Sequence, residues 1–318
     1  MASIRIWIPI VKPFPIRTFP CRLIRKWLNI TKNIVSLIGV RMGFLGARIV
    51  GTTSSGNTLL KLNKNYALGP KGTILELPMD RVIFENVRKW GAWELDESKF
   101  LARGIEIACR NTPKVALLDI GANTGLVTLQ AMNLSNTLAE VFLFEPVPRH
   151  TSAIKKNLRK LQRIHINEFG LSDKDGEANV FTQATNHGNT SLLKSVVPEI
   201  GVISTQIQLI ETTAYCNKFL SNFDRYVIKC DTQGMDALIL SRIPDWVWKN
   251  CESAIIEVWA RDEISTKDVE ALLSLLQEFE YVAWSPIIGE KKISLGEVCE
   301  FWLSKSGAHR NLFLSKSV

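Results

Sequence analysis

The chain has 318 residues, enough to bury a full α/β core with room for an appendage, and its 46% hydrophobic content excludes a disordered or fibrous protein. The net charge of +8 is unevenly spread: residues 1–75 hold twelve of the 39 Lys and Arg and none of the 31 Asp and Glu. The body therefore carries more acid than base, which argues against a surface that grips nucleic acid, and the basicity belongs to an N-terminal arm.

The arm mixes Trp, Ile, Phe and Leu with Arg and Lys, and Pro9, Pro13, Pro15 and Pro20 forbid a continuous helix over that stretch. From Leu23 to about Val50 the pattern predicts a helical segment. Its longest uncharged run, Asn33 to Val40, falls far short of the roughly 20 residues a bilayer span needs, and Arg and Pro interrupt every candidate signal-peptide core. Three readings stand side by side. One is a peripheral membrane contact through residues 1–50, with Trp7, Trp27 and Phe44 at the interface. The second is an organelle-targeting peptide, since those are also Arg-rich and acid-poor. The third is a helical appendage packed on the body. The expected organisation is a basic arm over residues 1–75 and a body over residues 76–318.

The body opens with "LPMDRVIFENVRKWGAWELDESKFLARGIEIACRN" (77–111), which reads as a short strand, a turn and a helix. Strand and helix patterns then alternate: "VALLDIG", "TGLVTLQAMNL", "EVFLFEP", "RHTSAIKKNLRKL", and a third strand "IHINEFGLSD". After a long variable stretch come "YVIKCDTQGMDALIL", a strand, turn and helix, then "SAIIEVW" and the helix "TKDVEALLSLLQEF". Near-continuous apolar strands separated by helices predict a mostly parallel sheet covered on both faces, with ligands at the carboxyl ends of the strands. Six scattered cysteines without a CxxC pair and four isolated histidines give no metal-ligand spacing and read as reduced thiols in a cytoplasmic protein.

The first site motif is "LLDIGANTGLVTL". An apolar strand ends at Asp119, and Gly121 and Gly125 flank the turn into a helix, where glycine permits backbone angles and close ligand approach. Further on, at the tip of the second strand, Glu145 and Pro146 stand in "FLFEP"; an acid there can accept both hydroxyls of a ribose. Asn123 occupies the place of the second glycine of a dinucleotide fingerprint. The pattern suits a cofactor with ribose and adenine but no phosphate, S-adenosylmethionine, with Asp119 near its ammonium. Ser172 and Asp173, at the end of the third strand, are the expected neighbours of adenine. A glycine turn that only packs strand on helix remains the alternative.

These segments resemble the FkbM-type branch of the class I methyltransferases. That family looks like D-x-G-A-N-x-G, F-E-P, A-L-S-D, G-x-x-S-L, K-I-D-V-E-G-x-E, a strand ending in Glu, and a late N-x-x-F strand. Here the elements stand as "DIGANTG", "FEP", "GLSD" (170–173), "GNTSLL" (188–193), "KCDTQGMD" (229–236), "IIEVW" (255–259) and "NLFLSK" (311–316). The resemblance covers about residues 75 to 318 and implies a Rossmann-like, mostly parallel seven-stranded sheet with helices on both faces. It also implies S-adenosylmethionine as cofactor and a sugar, glycolipid or polyketide-like hydroxyl as acceptor. Departures are Gln233 for Glu, Asp236 for a longer Glu, and "IETTAYCNKFL" without the usual Thr-Leu-Asp.

Methyl transfer is an in-line displacement in which the protein chiefly holds the reacting atoms collinear. Asp231 is the carboxylate at the fourth strand's end, and strand alternation puts Val227, Lys229 and Asp231 on one face. Asp231 is then a base or acceptor-positioner with Lys229 as its electrostatic partner, or the two form a buried pair that fixes the turn. His187 is a second candidate base; His150 and His165 read as surface and strand residues. Nothing in the spacing of Asp231 and Glu257 demands a metal. Two other functions stay open: a nicotinamide-dependent oxidoreductase, disfavoured by the absent G-x-G-x-x-G, and a non-catalytic scaffold that binds the cofactor or a partner. The acceptor contacts are expected in loops 174–225 and 286–310, and nothing in the pattern sets an oligomeric state.

Overall fold

A computed structural model describes residues 45–317, apart from 79–81, 184–185, 194–196, 198–201, 261–263 and 288–290, with the backbone course alone for 186–189. The segment 1–44, and with it most of the predicted helix and the three readings of the arm, lies outside the described residues. Residues 45–318 cluster as one compact unit. Residues 45–77, which charge groups with the arm as far as residue 75, supply a three-stranded antiparallel sheet within that unit: β1 (Ala47–Thr52), β2 (Thr58–Leu62) and β3 (Ile74–Leu77). The helix predicted to reach Val50 is therefore corrected at its end. Ala47 to Val50 are strand, because β1 pairs with β2 and buries Ala47 while Arg48 faces water.

The next segment holds two helices where one was expected, α1 (Ile83–Trp90) and α2 (Leu95–Ala108). Gly91 ends α1 with φ 70°, its N–H bonding back to Val87, and nothing but glycine fits there: an added Cβ would lie 2.6 Å from the Tyr66 ring. The large sheet then builds through β4 (Val115–Ile120), α3 (Leu126–Ser135), β5 (Glu140–Phe144), α4 (Pro148–Asn157) and β6 (Ile164–Asn167).

The expected third strand "IHINEFGLSD" splits here. Only Ile164–Asn167 joins the large sheet; β7 (Gly170–Ser172) belongs to a second sheet with β8 (Gly176–Gln183), β9 (Asn186–Ser191) and β10 (Val202–Glu211). Much of the stretch 174–225, expected as acceptor loops, is thus sheet, because β8 and β10 pair over eight residues. The chain returns through α5 (Thr212–Phe219), β11 (Arg225–Cys230), α6 (Asp236–Leu240), α7 (Asp245–Lys249), β12 (Cys251–Trp259), α8 (Thr266–Leu275), β13 (Tyr281–Ala283), α9 (Leu295–Leu303) and β14 (His309–Ser315).

The seven-stranded sheet runs β13-β14-β12-β11-β4-β5-β6, and β14 alone is antiparallel to its neighbours. Strand order reverses between β4 and β11, and a ligand crevice opens at that switch beyond the strands' carboxyl ends. Each central strand buries both faces. One face, with Leu118, Ile228 and Ile256, packs under α6, α8 and α9; the other, with Leu117, Val227 and Ile255, packs under α2 and α3. Asp119, Lys229 and Glu257 continue this second face toward the carboxyl ends, with Lys229 in register beside Asp119. Asp119, Lys229 and Glu257 are thus the last rung of one face beneath the crevice.

Candidate active site

The crevice is a cleft of about 390 Å³, within the few hundred Å³ usual for small-molecule sites. One side is the β4–α3 turn and the tip of β5. Gly121 and Gly125 are in the left-handed region with φ of 78° and 72°. The space a Cβ would fill is taken by protein: the Asp231 carbonyl lies 2.0 Å from it at Gly121 and a Leu158 methyl 2.7 Å from it at Gly125. The glycines therefore serve turn geometry and close packing of the loops, more than close approach of a ligand. Asn123, with φ 52°, sends its backbone N–H to Glu145 Oε2 at 2.8 Å. Glu145 Oε1 accepts from Val147 N at 2.9 Å and lies 3.3 Å from His150 Nδ1. Oε2 thus keeps an acceptor site for a ribose hydroxyl, and Pro146 lines the cleft beside it.

On the other side, Lys229 Nζ sits 3.6 Å from Asp119 Oδ1 and 3.6 Å from Asp231 Oδ2. Asp119 is fully buried, held by Thr128 Oγ1 at 2.6 Å, and lies behind Lys229 rather than on the cleft wall. Burial pushes its carboxyl up, and Lys229 and Thr128 oppose that. For Lys229, burial works against the charge, but Asp231 and Asp119 outweigh it and its ammonium is held charged. For Asp231, burial likewise works against ionisation, yet Lys229, Glu257 and Gln233 hold the carboxyl below its ordinary range.

Gln233, with φ 54°, donates from Nε2 to Asp231 Oδ1 and to Glu257 Oε2, both at 2.8 Å. It spends both amide protons on two carboxyls, a bridge that a glutamate at this position could not make. Its carbonyl accepts from Ser191 Oγ at 2.6 Å, which ties the second sheet to this loop. Asp236 caps the turn by accepting from Thr232 N and Gly234 N, and burial, followed by Asp231, raises it to about 6. Glu257 is buried, pushed well up by burial and then by Asp231 and Asp236, and lies 3.1 Å from His309 Nδ1.

Of the expected site residues, Gly121, Asn123, Glu145, Pro146, Lys229 and Asp231 line one cleft. Gly125 and Asp119 stand just behind it. Ser172 and Asp173 are not among the residues that line it. Ser172 Oγ turns to Asp173 Oδ1 at 3.2 Å and Asp173 is exposed, whereas Gly170 and Leu171 line the cleft. His150 is buried against Glu145 rather than at the surface; His165 stacks on Phe142 away from the cleft; the His187 side chain lies outside the described residues. Residues that sequence reasoning did not single out are Trp93, Glu94, Trp259 and His309, the last two stacked at 4.4 Å. Trp93 and Glu94 sit in the Gly91–Glu94 turn, distant in sequence from every motif. Among the described residues no cluster of His, Cys, Asp and Glu is arranged to hold a metal ion.

The fold is that of a class I methyltransferase: a seven-stranded sheet with one reversed strand and a cleft at the switch point. S-adenosylmethionine fits the residues present. Glu145 Oε2 keeps an acceptor position on the cleft wall that a ribose hydroxyl could fill, and the Asp231 carboxylate stands on the opposite wall. Residues 119–283 match the methyltransferase FkbM domain, and the chain belongs to that family of S-adenosylmethionine-dependent methyltransferases. It is 34% identical over 64 residues to the 2-O-methyltransferase NoeI of Sinorhizobium fredii, a match that spans 20% of this chain and 26% of that protein. Among solved structures, a methyltransferase from Agrobacterium tumefaciens aligns with TM-score 0.39 and 11% identity, over 85% of this chain and 77% of that one. Aeropyrum pernix fibrillarin with bound S-adenosylmethionine aligns with TM-score 0.35 and 11% identity, over 84% of this chain and 99% of that one.

Proposed function

We propose that the protein transfers a methyl group from S-adenosylmethionine to a hydroxyl of a sugar, glycolipid or polyketide-like acceptor, in the cytoplasm. The basic arm would hold it at the surface of a membrane through residues 1–50. The observation that carries this reading is the pairing, across one cleft, of Glu145 with the Lys229–Asp231–Gln233–Glu257 cluster. The name of the S. fredii relative, a 2-O-methyltransferase, supports a hydroxyl acceptor.

When bound, S-adenosylmethionine supplies an electrophilic methyl on a positively charged sulfur. Glu145 would hold the ribose, with its orientation fixed by the Asn123 and Val147 N–H groups. Asp231, ionised because Lys229 and Gln233 hold it so, would accept a hydrogen bond from the acceptor hydroxyl and orient its lone pair. Calorimetry on the full chain with S-adenosylmethionine and with NADPH decides the cofactor. Mass spectrometry of methyl gain across methyl glycosides and glycolipids then decides the acceptor. Binding of NADPH without S-adenosylmethionine would overturn the reading, and cofactor binding with no methyl gain would leave the scaffold.

A further inference from the structure

Of the carboxyls on the cleft wall, one has no hydrogen bond or ion pair among the described residues. Asp231 is met by Lys229 and Gln233, Glu257 by Gln233 and His309, and Glu145 by two backbone N–H groups and His150. The Glu94 side chain makes no hydrogen bond or ion pair among the described residues, and it is half-buried and lines the cleft. A half-buried carboxyl with both oxygens uncommitted on a cleft wall is open to an atom of a ligand.

Its position is held from several sides. Glu94 is the residue before α2, in the left-handed region with φ 44° and ψ 54°, and its carboxyl does not cap the helix. The turn is pinned by Gln130 of α3, which donates to the Trp93 carbonyl and to Ser98 Oγ and accepts from the Trp93 N–H. Ser98 closes the turn by donating its N–H and its hydroxyl to the Glu94 carbonyl at 3.1 Å and 2.9 Å. The backbone is thus fixed by four bonds while the carboxyl is left to the cleft.

We propose that Glu94 takes the proton of the acceptor hydroxyl during methyl transfer, a catalytic role that rests on reading the protein as a hydroxyl methyltransferase. The acceptor oxygen gains a bond to carbon and its O–H bond breaks; the proton passes to a Glu94 carboxylate oxygen, and the donor's carbon–sulfur electron pair stays on sulfur. The proton then leaves to water. The charged groups that face Glu94 are Asp231 after β11, Lys229 on β11, Asp119 on β4 and Glu97 on its own helix. Burial first and Asp231 next raise its carboxyl to about 8, with Lys229 opposing, so it is a stronger base than a free glutamate. Asp231, pulled the other way, is ionised but weakly basic, which suits orientation rather than proton removal.

The test uses the full chain with carbon-13 carboxyl-labelled glutamate, S-adenosylhomocysteine as the bound probe and a panel of methyl glycosides as acceptors. The Glu94 resonance, assigned by its loss in Glu94→Gln, is expected to titrate at neutral to mildly alkaline pH. Glu94→Gln is expected to bind the probe within about threefold of wild type, to lose roughly 10²- to 10⁴-fold in kcat, and to flatten the rise of rate with pH. Glu94→Asp should recover part of that loss. A Glu94 that titrates in the ordinary carboxylate range, or a Glu94→Gln that keeps wild-type kcat and pH profile, overturns the proposal. A wild type that binds the probe but methylates nothing in the panel sinks the hydroxyl-acceptor reading instead, and the titration alone then judges Glu94.

Discussion

Lys229 is a single positive charge set between two carboxylates in a space from which water is nearly excluded. Removing it leaves Asp119 buried with no compensating cation, so Lys229→Met is expected to cost about 3–5 kcal/mol in equilibrium urea unfolding. Adding Asp119→Asn to that variant should recover most of the loss, because the uncompensated charge is then gone. Glu94 behaves in the opposite sense. Its carboxyl and that of Asp236 are raised in the folded protein, so between about pH 4 and 8 the folded state binds more protons than the unfolded one. The stability linked to these groups is complete below the ordinary carboxylate range and is lost as pH rises through about 6 and then about 8. Glu94→Gln is expected to match wild type near pH 4 and to exceed it at pH 9 by an amount on the order of 2 kcal/mol, read as a Tm difference that grows with pH. A difference constant in pH would place its cause outside this titration.

At the scale of elements, α2 lies close on the sheet because Gly104 has no side chain. A Cβ there would fall 1.9 Å from Ser253 Oγ on β12, so Gly104→Ala should destabilise by about 1–3 kcal/mol through forced displacement of the helix. Ser253→Ala in the same chain should relieve part of it, which a double-mutant comparison of thermal unfolding would detect. The same helix explains what the sequence does and does not reveal. Apolar runs such as Val115–Ile120 and Arg225–Cys230 state their strand character locally, and the order of motifs carries the family and the cofactor side of the cleft. Glu94 is set by a contact between Gln130 and the turn before α2, 37 residues apart, which no local pattern encodes. The second sheet was hidden for a related reason: β8 and β10 are half exposed, so their apolar and polar residues lack the continuous signal of a buried strand. The expected third strand splits between two sheets because a motif fixes the end of a segment but not the sheet that segment joins.

For the whole molecule, charge divides the chain at Glu76, whereas contacts divide it at Leu45, and the two divisions assign residues 45–75 differently. The contacts decide stability. Leu60, Leu62, Leu75 and Leu77 are buried in the same core as Val87, Leu101 and Leu117, and buried Glu76 takes bonds from Asn57 and Ser152. Removing 1–75 would therefore expose a core face and leave α4 without its partner strand. Removing 1–44 leaves all of these contacts in place, so the shortened chain is expected to fold and to bind S-adenosylhomocysteine. It loses eight of the twelve Lys and Arg of the arm's acid-free stretch and none of the acids, so the remainder becomes close to neutral. If the arm holds the protein at a membrane, the full chain should co-sediment with vesicles containing anionic lipid, with binding weakened by salt, and the shortened chain should stay in the supernatant. Equal sedimentation of both chains would place membrane contact, if any, on the body, where exposed Ile49, Val50 and Trp90 stand on and next to the antiparallel sheet.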